Sequence, residues 1–435
     1  MLVEATAAPA SIVRNTAWLY LRHAISMSAG FLAVRLAMDT LGVNGFGTYA
    51  AVASVAGFLG FFSGALGEAC RKYFSEAMGD GRDLRRTFAF AFAVAAAGAL
   101  AVAAMGEVVG LVLVKTAFRL SDASAVTAYH LAVAVVALSV VRVPFEAAVV
   151  ASERMRAFLF AGILEAIVVL AAAGLPQALA RDLRLPAYAG VLAVGEGVLL
   201  AFFVGCGRRV LGSVPVPRLT DAVAGLMRFF GWCSVRSLST DVKYRGTEML
   251  INVFSGVAFN SSWRAAMRLG SLLYVVVGSF QLAFTPRLMK LRAAGDGRGF
   301  FRLLLAAEVV SFGLLTAVAV PVAVWAPEVV RLWLGASAPP QIVAFVRVFA
   351  VHFVFDALNG PLHAAITTAA DSSRYQLSVS LVMGSGFLFA LGALAVGLPP
   401  WSAPAGVALA NALSFGYRLA VLRPYTRFDI IPPHV

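Results

Sequence analysis

Five ionisable residues crowd one otherwise apolar stretch, "FFGWCSVRSLSTDVKYRGTEMLINVF": Arg236, Asp241, Lys243, Arg245 and Glu248. Wound as a helix at 100° per residue, Arg236 and Lys243 share a face with Ser239 beside them. Asp241, Arg245 and Glu248 group on the opposite side at i, i+4 and i, i+3 spacing, where they can neutralise one another. Arg236 and Lys243 have no carboxylate on their own face. They are candidates for holding an anion that comes from outside the chain.

The theme recurs elsewhere. "NTAWLYLRHAISMSAGFLAVRLAMD" carries Arg22 and His23, then Arg35 and Asp39, the last two expected to pair at i, i+4. "NSSWRAAMRLGSLL" places Arg264 and Arg268 one turn apart, with Arg264 able to snorkel outward and Arg268 deeper. "FVRVFAVHFVFDALNGPLHAA" sets His352 and Asp356 at i, i+4. A histidine joined to a carboxylate can relay a proton, so this pair is the candidate for coupling to an ion or proton flow.

The elements that must carry these groups are membrane helices. Of 435 residues, 60% are hydrophobic and 13% charged, against about 25% charged in soluble proteins. Apolar stretches long enough to cross a hydrocarbon core of about 30 Å recur throughout. The pattern predicts an all-α polytopic membrane protein of about twelve helices, near 13–40, 46–70, 87–113, 123–143, 157–178, 186–206, 226–255, 260–288, 300–325, 341–368, 375–397 and 402–423. A charge in such a span costs roughly 2.5 to 3.5 kcal/mol at mid-membrane. Five in one helix facing lipid would cost over about 10 kcal/mol, so that helix must face protein or water.

The net charge of +13 lies in alternate connections. This is the positive-inside distribution of a membrane protein with both termini cytoplasmic, and it argues against nucleic acid as a partner. Anionic membrane lipids are the partners such loops attract. The N-terminus lacks the pattern of a cleaved signal peptide. Cys70, Cys206 and Cys233 lack metal-ligand or disulfide spacing and read as packing residues. No metal site is indicated and no catalytic constellation is present: HExxH, GxSxG and acidic pairs beside a basic pocket are all missing.

"GDGR" occurs twice, at 79–82 and 295–298. It lacks the preceding strand and the Lys-Ser or Lys-Thr ending of a phosphate loop, so a helix-hairpin turn is the expectation. The spacing of 216 residues is half the chain, and a similar offset lays "LGV" at 41–43 on "SGV" at 255–257. Two six-helix lobes in the same orientation follow, 12–206 and 226–424, related by a pseudo-two-fold axis along the membrane normal and joined by a linker at 207–225. A site between two such repeats, lined by cations, is what alternating-access transport requires.

The opening "NTAWLYLRHAISMSAGFLAVRLAMDTLGVNGFGTYAAVASV" resembles that of polysaccharide transporters of the O-antigen flippase type, in the multidrug/oligosaccharidyl-lipid/polysaccharide exporter superfamily. Asn15 to Arg22, Arg35 and Leu41 to Tyr49 carry the pattern. Further matches are "CRKYFSEAMGDGRDLRRTF", "ASERMRAFLFAGILEA", "TPRLMKLRAAGDG" and "VRLWLG". The resemblance implies a MATE-like, two-lobed transporter in the bacterial cytoplasmic membrane, not an enzyme. Its substrate would be an undecaprenyl-pyrophosphate-linked oligosaccharide, moved to the outer leaflet for O-antigen, capsule or exopolysaccharide synthesis. It implies no cofactor beyond a coupling ion, and a monomer that can work beside a glycan polymerase. Arg22, Arg35, Arg236, Lys243 and Arg268 are then the expected headgroup contacts. "STDVKYRGTE" is more charged than the family's run at this place. A lipid II flippase and a cation-coupled multidrug exporter of the same superfamily are the alternatives.

Overall fold

The computed structural model describes residues 9–79, 84–211, 221–271, 294–335, 338–369 and 372–422, with Leu288 and Leu291. They are helical with short connections, and no strand occurs among them. Nine of the helices among the described residues are long and apolar enough to cross a membrane. The chain is a multi-pass membrane protein. It divides into two compact units, Met1–Leu238 and Ser239–Val435.

In the first unit, α1 (Pro9–Leu59), bent at Gly42, holds the first expected span and the first part of the second, whose remainder falls in the following helix, Phe62–Gly79. Gly42 has φ 73° and ψ 169°, a conformation essentially restricted to glycine. Then come α2 (Phe62–Gly79), α3 (Leu84–Met105), α4 (Ala123–Ala151), α5 (Met155–Gly174) and α6 (Arg181–Leu211). A π-turn at Gly106–Gly110 prolongs α3 into Leu111–Thr116. The central helix is α4, which packs against α1, α2, α3 and α6. Its contact with α2 and α3 is a seam of Leu66, Cys70, Phe74, Phe88, Ala91, Ala95 and Val140. Alanines on the buried side of α3 allow the close approach that packing in lipid depends on. Cys70 and Cys233 are buried and Cys206 is half-buried; all three are free thiols.

α7 begins at Asp221–Asp241, passes through a π-turn at Val242–Gly246 and ends as Thr247–Ser255. The division between the units falls within it, after Leu238. Its last residue precedes Gly256, at φ 85° and ψ 177°. This repeats the backbone of Gly42 at the position where the sequence offset lays one half on the other. The second unit continues with α8 (257–271), α9 (Gly297–Val324), α10 (Ala326–Leu334), α11 (Gln341–Ala369), α12 (Ser372–Ala395) and α13 (Ser402–Leu422). Here α13 packs against α11 and α12, and α9 against α11. A proline interrupts the hydrogen-bond ladder of α4 at Pro144 and of α11 at Pro361, at matching places in "VRVPFEAA" and "LNGPLHAA".

The second "GDGR" is a turn that starts a helix. Gly295 sits at φ 70°, and the Asp296 carboxylate accepts the Gly299 amide at 2.8 Å as the N-cap of α9. Of the first, residues 80–82 lie outside the described residues, as do 212–220 of the expected linker and 272–287 of the expected eighth span.

Candidate functional site

Cations of the first unit are held by carboxylates from other helices. Arg22 on α1 reaches Glu165 on α5, Nη2 to Oε2 at 3.4 Å, and its guanidinium lies 4.0 Å above the Phe158 ring. Its route depends on Gly162. A Cβ there would stand 2.5 Å from the Arg22 Cγ, closer than real Cβ contacts come. The buried Nε of Arg22 has no hydrogen-bond partner among the described residues. Arg236 on α7 binds Glu68 on α2 through Nη2 and Oε2. Both carboxylates stay accessible: the Glu165 side chain is 45% exposed and that of Glu68 39%.

Arg22 and Arg236 are counterparts in the repeat. Arg22 precedes Gly42 by twenty residues and Arg236 precedes Gly256 by twenty, each with a tryptophan four residues before it, Trp18 and Trp232. Spacing from the two bends, rather than local sequence, is what maps one arginine onto the other.

Arg142 on α4 is a third such cation, and charge patterning did not single it out. Its Nε donates to Glu196 on α6 at 2.7 Å and its Nη1 to Glu146 one turn along at 2.9 Å. Phe203 covers the guanidinium, 5.6 Å from the ring centre. The signal for it is present in "VVRVPFEAA", an i, i+4 Arg–Glu pair across a proline inside an apolar run.

In the second unit the polar groups converge on Lys243, in the π-turn of α7. Its side chain is 1% exposed. Nζ donates to Asn411 Oδ1 on α13 at 3.0 Å, lies 4.0 Å from Asp356 Oδ1 on α11, and sits 4.4 Å from the centre of the Tyr244 ring. Asn411 Nδ2 donates to Asp356 Oδ1 at 3.0 Å and meets His352 Nδ1 at 3.2 Å. The second nitrogen of His352 meets the Tyr244 hydroxyl at 2.9 Å. With Asn411 donating, Nδ1 is an acceptor, so the imidazole is neutral with its hydrogen on Nε2. Asn359 ties α11 to α13 by donating to the Asn411 carbonyl at 2.9 Å, and Arg418 donates to the carbonyl of Asn359.

Several expectations change here. His352 and Asp356 do not bond to each other: Asn411, a single amide in the apolar run "AGVALANALSFG", stands between them. Lys243 is occupied by Asn411 and Asp356, and Arg236 by Glu68, so neither is an unopposed cation. The helical wheel of one helix omits acceptors that packing supplies from its neighbours. Arg236 and Lys243 are seven residues apart, about 10 Å along a helix, and so meet different neighbours.

The expected triad also divides. Arg245 binds Asp241 at 2.7 Å, but Glu248 turns to Arg264 on α8, 2.9 Å from its Nε. Packing supplies Glu248 with a partner from a neighbouring helix that the wheel of α7 alone does not show. Arg264 is thus a buried carboxylate's partner more than a snorkelling charge. Arg35 and Asp39 are both exposed, and the expected ion pair between them is not formed. A cation N-terminal to its anion is the weaker i, i+4 order. Arg268 is half-buried on α8 and its carbonyl accepts the Ser271 hydroxyl at 2.7 Å. No cluster of three or more metal-ligating side chains occurs among the described residues.

The two glycine bends share one backbone conformation, and two helices are broken by proline at matching places in the sequence. No protein-family model matches the chain, and no curated protein matches it in sequence. Solved structures do match in fold. An inward-facing multidrug resistance MATE family transporter of the MOP superfamily is similar over 94% of this chain and 98% of its own, with TM-score 0.73 and 13% identity. The lipid II flippase MurJ, in an inward closed conformation, is similar over 93% and 87%, with TM-score 0.72 and 11% identity. A MOP superfamily transporter from Pyrococcus furiosus, whose binding pocket is described as reversed in polarity, covers 93% and 96% at TM-score 0.57 and 12% identity. The chain has the fold of MOP superfamily transporters. Its neighbours in fold are transporters and a flippase rather than enzymes.

Proposed function

We propose that the protein is a flippase that carries an undecaprenyl-pyrophosphate-linked oligosaccharide from the cytoplasmic to the outer leaflet of a bacterial cytoplasmic membrane, for surface polysaccharide synthesis. The observation that carries this reading is the repeated arginine. Arg22 and Arg236 hold equivalent places, and each is matched to a partly exposed glutamate. A diphosphate can displace such a carboxylate, because a guanidinium binds two phosphate oxygens in the same forked geometry. Displacement leaves Glu165 or Glu68 facing water rather than stranded. The fold is shared with a lipid II flippase, which is compatible with a lipid-linked cargo.

In this reading the lobes span 12–206 and 226–424, the termini are cytoplasmic, and the basic connections attract anionic lipid before loading. Arg35, exposed on α1, and Arg268 on α8 are further headgroup contacts on the path. The protein works as a monomer beside the glycan polymerase.

A second reading, export of organic cations, draws on the part-exposed carboxylates of Glu165 and Glu68, which suit a cationic guest as well as they suit arginine. Deleting the gene in its native host separates the two. Lost surface glycan with lipid-linked precursor retained in the inner leaflet supports the flippase. Normal glycan with raised sensitivity to cationic drugs contradicts it and supports the exporter.

A further inference from the structure

The two arginine–glutamate pairs, Arg22 with Glu165 and Arg236 with Glu68, are each neutral, and a neutral pair attracts an anion only at contact distance. Whatever draws a polyanionic headgroup to them must be a cation that no carboxylate already holds. Within the first unit, each of the two helix seams that carry the pairs also carries such a cation.

On the seam of α1 and α5 it is Arg156. Its guanidinium lies 5.6 Å from the centre of the Trp18 ring, and Trp18 stands one turn before Arg22 on α1. On the seam of α2 and α7 it is Lys72, one turn past Glu68 on α2. Its Nζ is 4.5 Å from the centre of the Phe229 ring and 5.4 Å from that of Tyr73, and the two rings meet edge to face at 6.4 Å. Gly225 on α7 makes room for the Tyr73 hydroxyl, which a Cβ there would approach to 2.8 Å. Arg156 and Lys72 are exposed, and neither is ion-paired to a carboxylate among the described residues. An aromatic face attracts a cation and fixes its place but carries no net charge, so the N–H groups stay open to an anion.

The order along the helices is the same on both seams. Trp18 precedes Arg22, Arg156 precedes Glu165, Lys72 follows Glu68 and Phe229 precedes Arg236. On all four helices the ring-held cation therefore lies nearer the end that the proposed orientation puts in the cytoplasm. One turn of helix is about 5.4 Å, so the outer cation and the inner pair are within reach of one short polyanion.

We propose that Arg156 and Lys72 are the capture contacts for a prenyl-borne diphosphate in the cytoplasmic leaflet, holding it before it displaces Glu165 or Glu68. This rests on the flippase reading and adds to it two residues, two entry seams and an order of contact. A diphosphate suits the arrangement better than the single phosphate of an ordinary phospholipid, because one phosphate can stay with the outer cation while the other reaches the inner arginine.

Surface plasmon resonance of farnesyl diphosphate, a soluble prenyl diphosphate, on the full chain in phosphatidylcholine nanodiscs tests this, with empty nanodiscs as reference. Loss of a rim charge slows association, whereas loss of an inner contact speeds dissociation. Arg156→Gln and Lys72→Gln should each slow association about threefold to tenfold in low salt, leave dissociation unchanged and lose their effect as salt is raised. Trp18→Leu should slow association as well, since Arg156 then has no platform. Arg22→Gln should speed dissociation instead. Arg208→Gln, exposed at the end of α6 and on neither seam, should change neither rate. Adding phosphatidylglycerol to the nanodiscs should leave the ratio of variant to wild-type association rates as it was. A ratio that falls to one there makes ordinary anionic phospholipid the occupant and overturns the proposal. Unchanged association in either glutamine variant, or equal slowing by Arg208→Gln, overturns it while the flippase reading stands. A wild type that binds no farnesyl diphosphate overturns it and counts against the flippase reading as well.

Discussion

Arg22 and Arg236 stand twenty residues before the two glycines at which α1 and the end of α7 turn, and each guanidinium closes on a glutamate of another helix, Glu165 and Glu68. Two arginines at the same distance before a glycine bend are thus each already neutralised by a glutamate from another helix. In the proposed function, exchange of carboxylate for phosphate is the step by which cargo would enter without leaving either arginine unneutralised.

Replacing both arginines by glutamine should abolish surface-glycan export with unchanged membrane levels of the protein. Each single replacement should lower export by about tenfold, the size expected for one charge-assisted phosphate contact. Quantifying surface glycan beside immunoblots of the membrane fraction gives the answer. Lysine at either place should restore less than half, since it offers a point charge where a fork is needed.

Gly162 should behave as a functional residue although it has no side chain. Gly162→Val places carbon inside the van der Waals envelope of Arg22 Cγ and pushes the guanidinium off Glu165. The expected outcome is a loss of export close to that of Arg22→Gln, with a stability cost of about 1 to 3 kcal/mol for overpacking. Thermal unfolding of detergent-purified protein, run beside the export assay, separates the two effects.

Asn411→Leu should destabilise the second unit by about 1 to 3 kcal/mol or more, because Lys243 and Asp356 lose their shared partner inside the protein. The combined change of Lys243→Met, Asp356→Leu and Asn411→Leu should recover most of that stability, since apolar groups pack as well as a buried ion pair. It should not recover transport. A lower unfolding midpoint for the single variant, restored in the triple, is the expected pattern.

Alanine at Gly42 or Gly256 must adopt φ near +73° or +85° with ψ near 180°, where an L side chain is strained by about 1 to 3 kcal/mol. The two substitutions should be similarly destabilising, as expected of equivalent points in a repeat. A large cost at one and none at the other would show that only one bend is required.

Much of this was legible in the sequence because membrane helices announce themselves by length and hydropathy. The repeat was visible in "GDGR" and in the paired "LGV" and "SGV", whose glycines share a backbone conformation that little else than glycine adopts. Asp296 and Gly295 form the helix-starting turn that their spacing suggested. What stayed hidden were the partners. Arg236 and Lys243 looked unopposed because a wheel holds one helix, whereas Glu68, Asp356 and Asn411 arrive from three others. The π-turn at Val242–Gly246 was hidden too, as was Arg264, the partner that Glu248 takes instead of Arg245. Asn411 carried no charge to mark it, yet it joins three ionisable side chains.

The most direct test of the central claim is the leaflet in which the lipid-linked oligosaccharide resides when the Arg22→Gln and Arg236→Gln double variant is the cell's only copy. Its accessibility can be probed with a membrane-impermeant sugar-modifying reagent on sealed inner-membrane vesicles of defined orientation. Precursor confined to the cytoplasmic leaflet, with the variant present at normal levels, is the result predicted. Precursor reaching the outer leaflet as in the wild type would contradict the assignment of Arg22 and Arg236 to the headgroup.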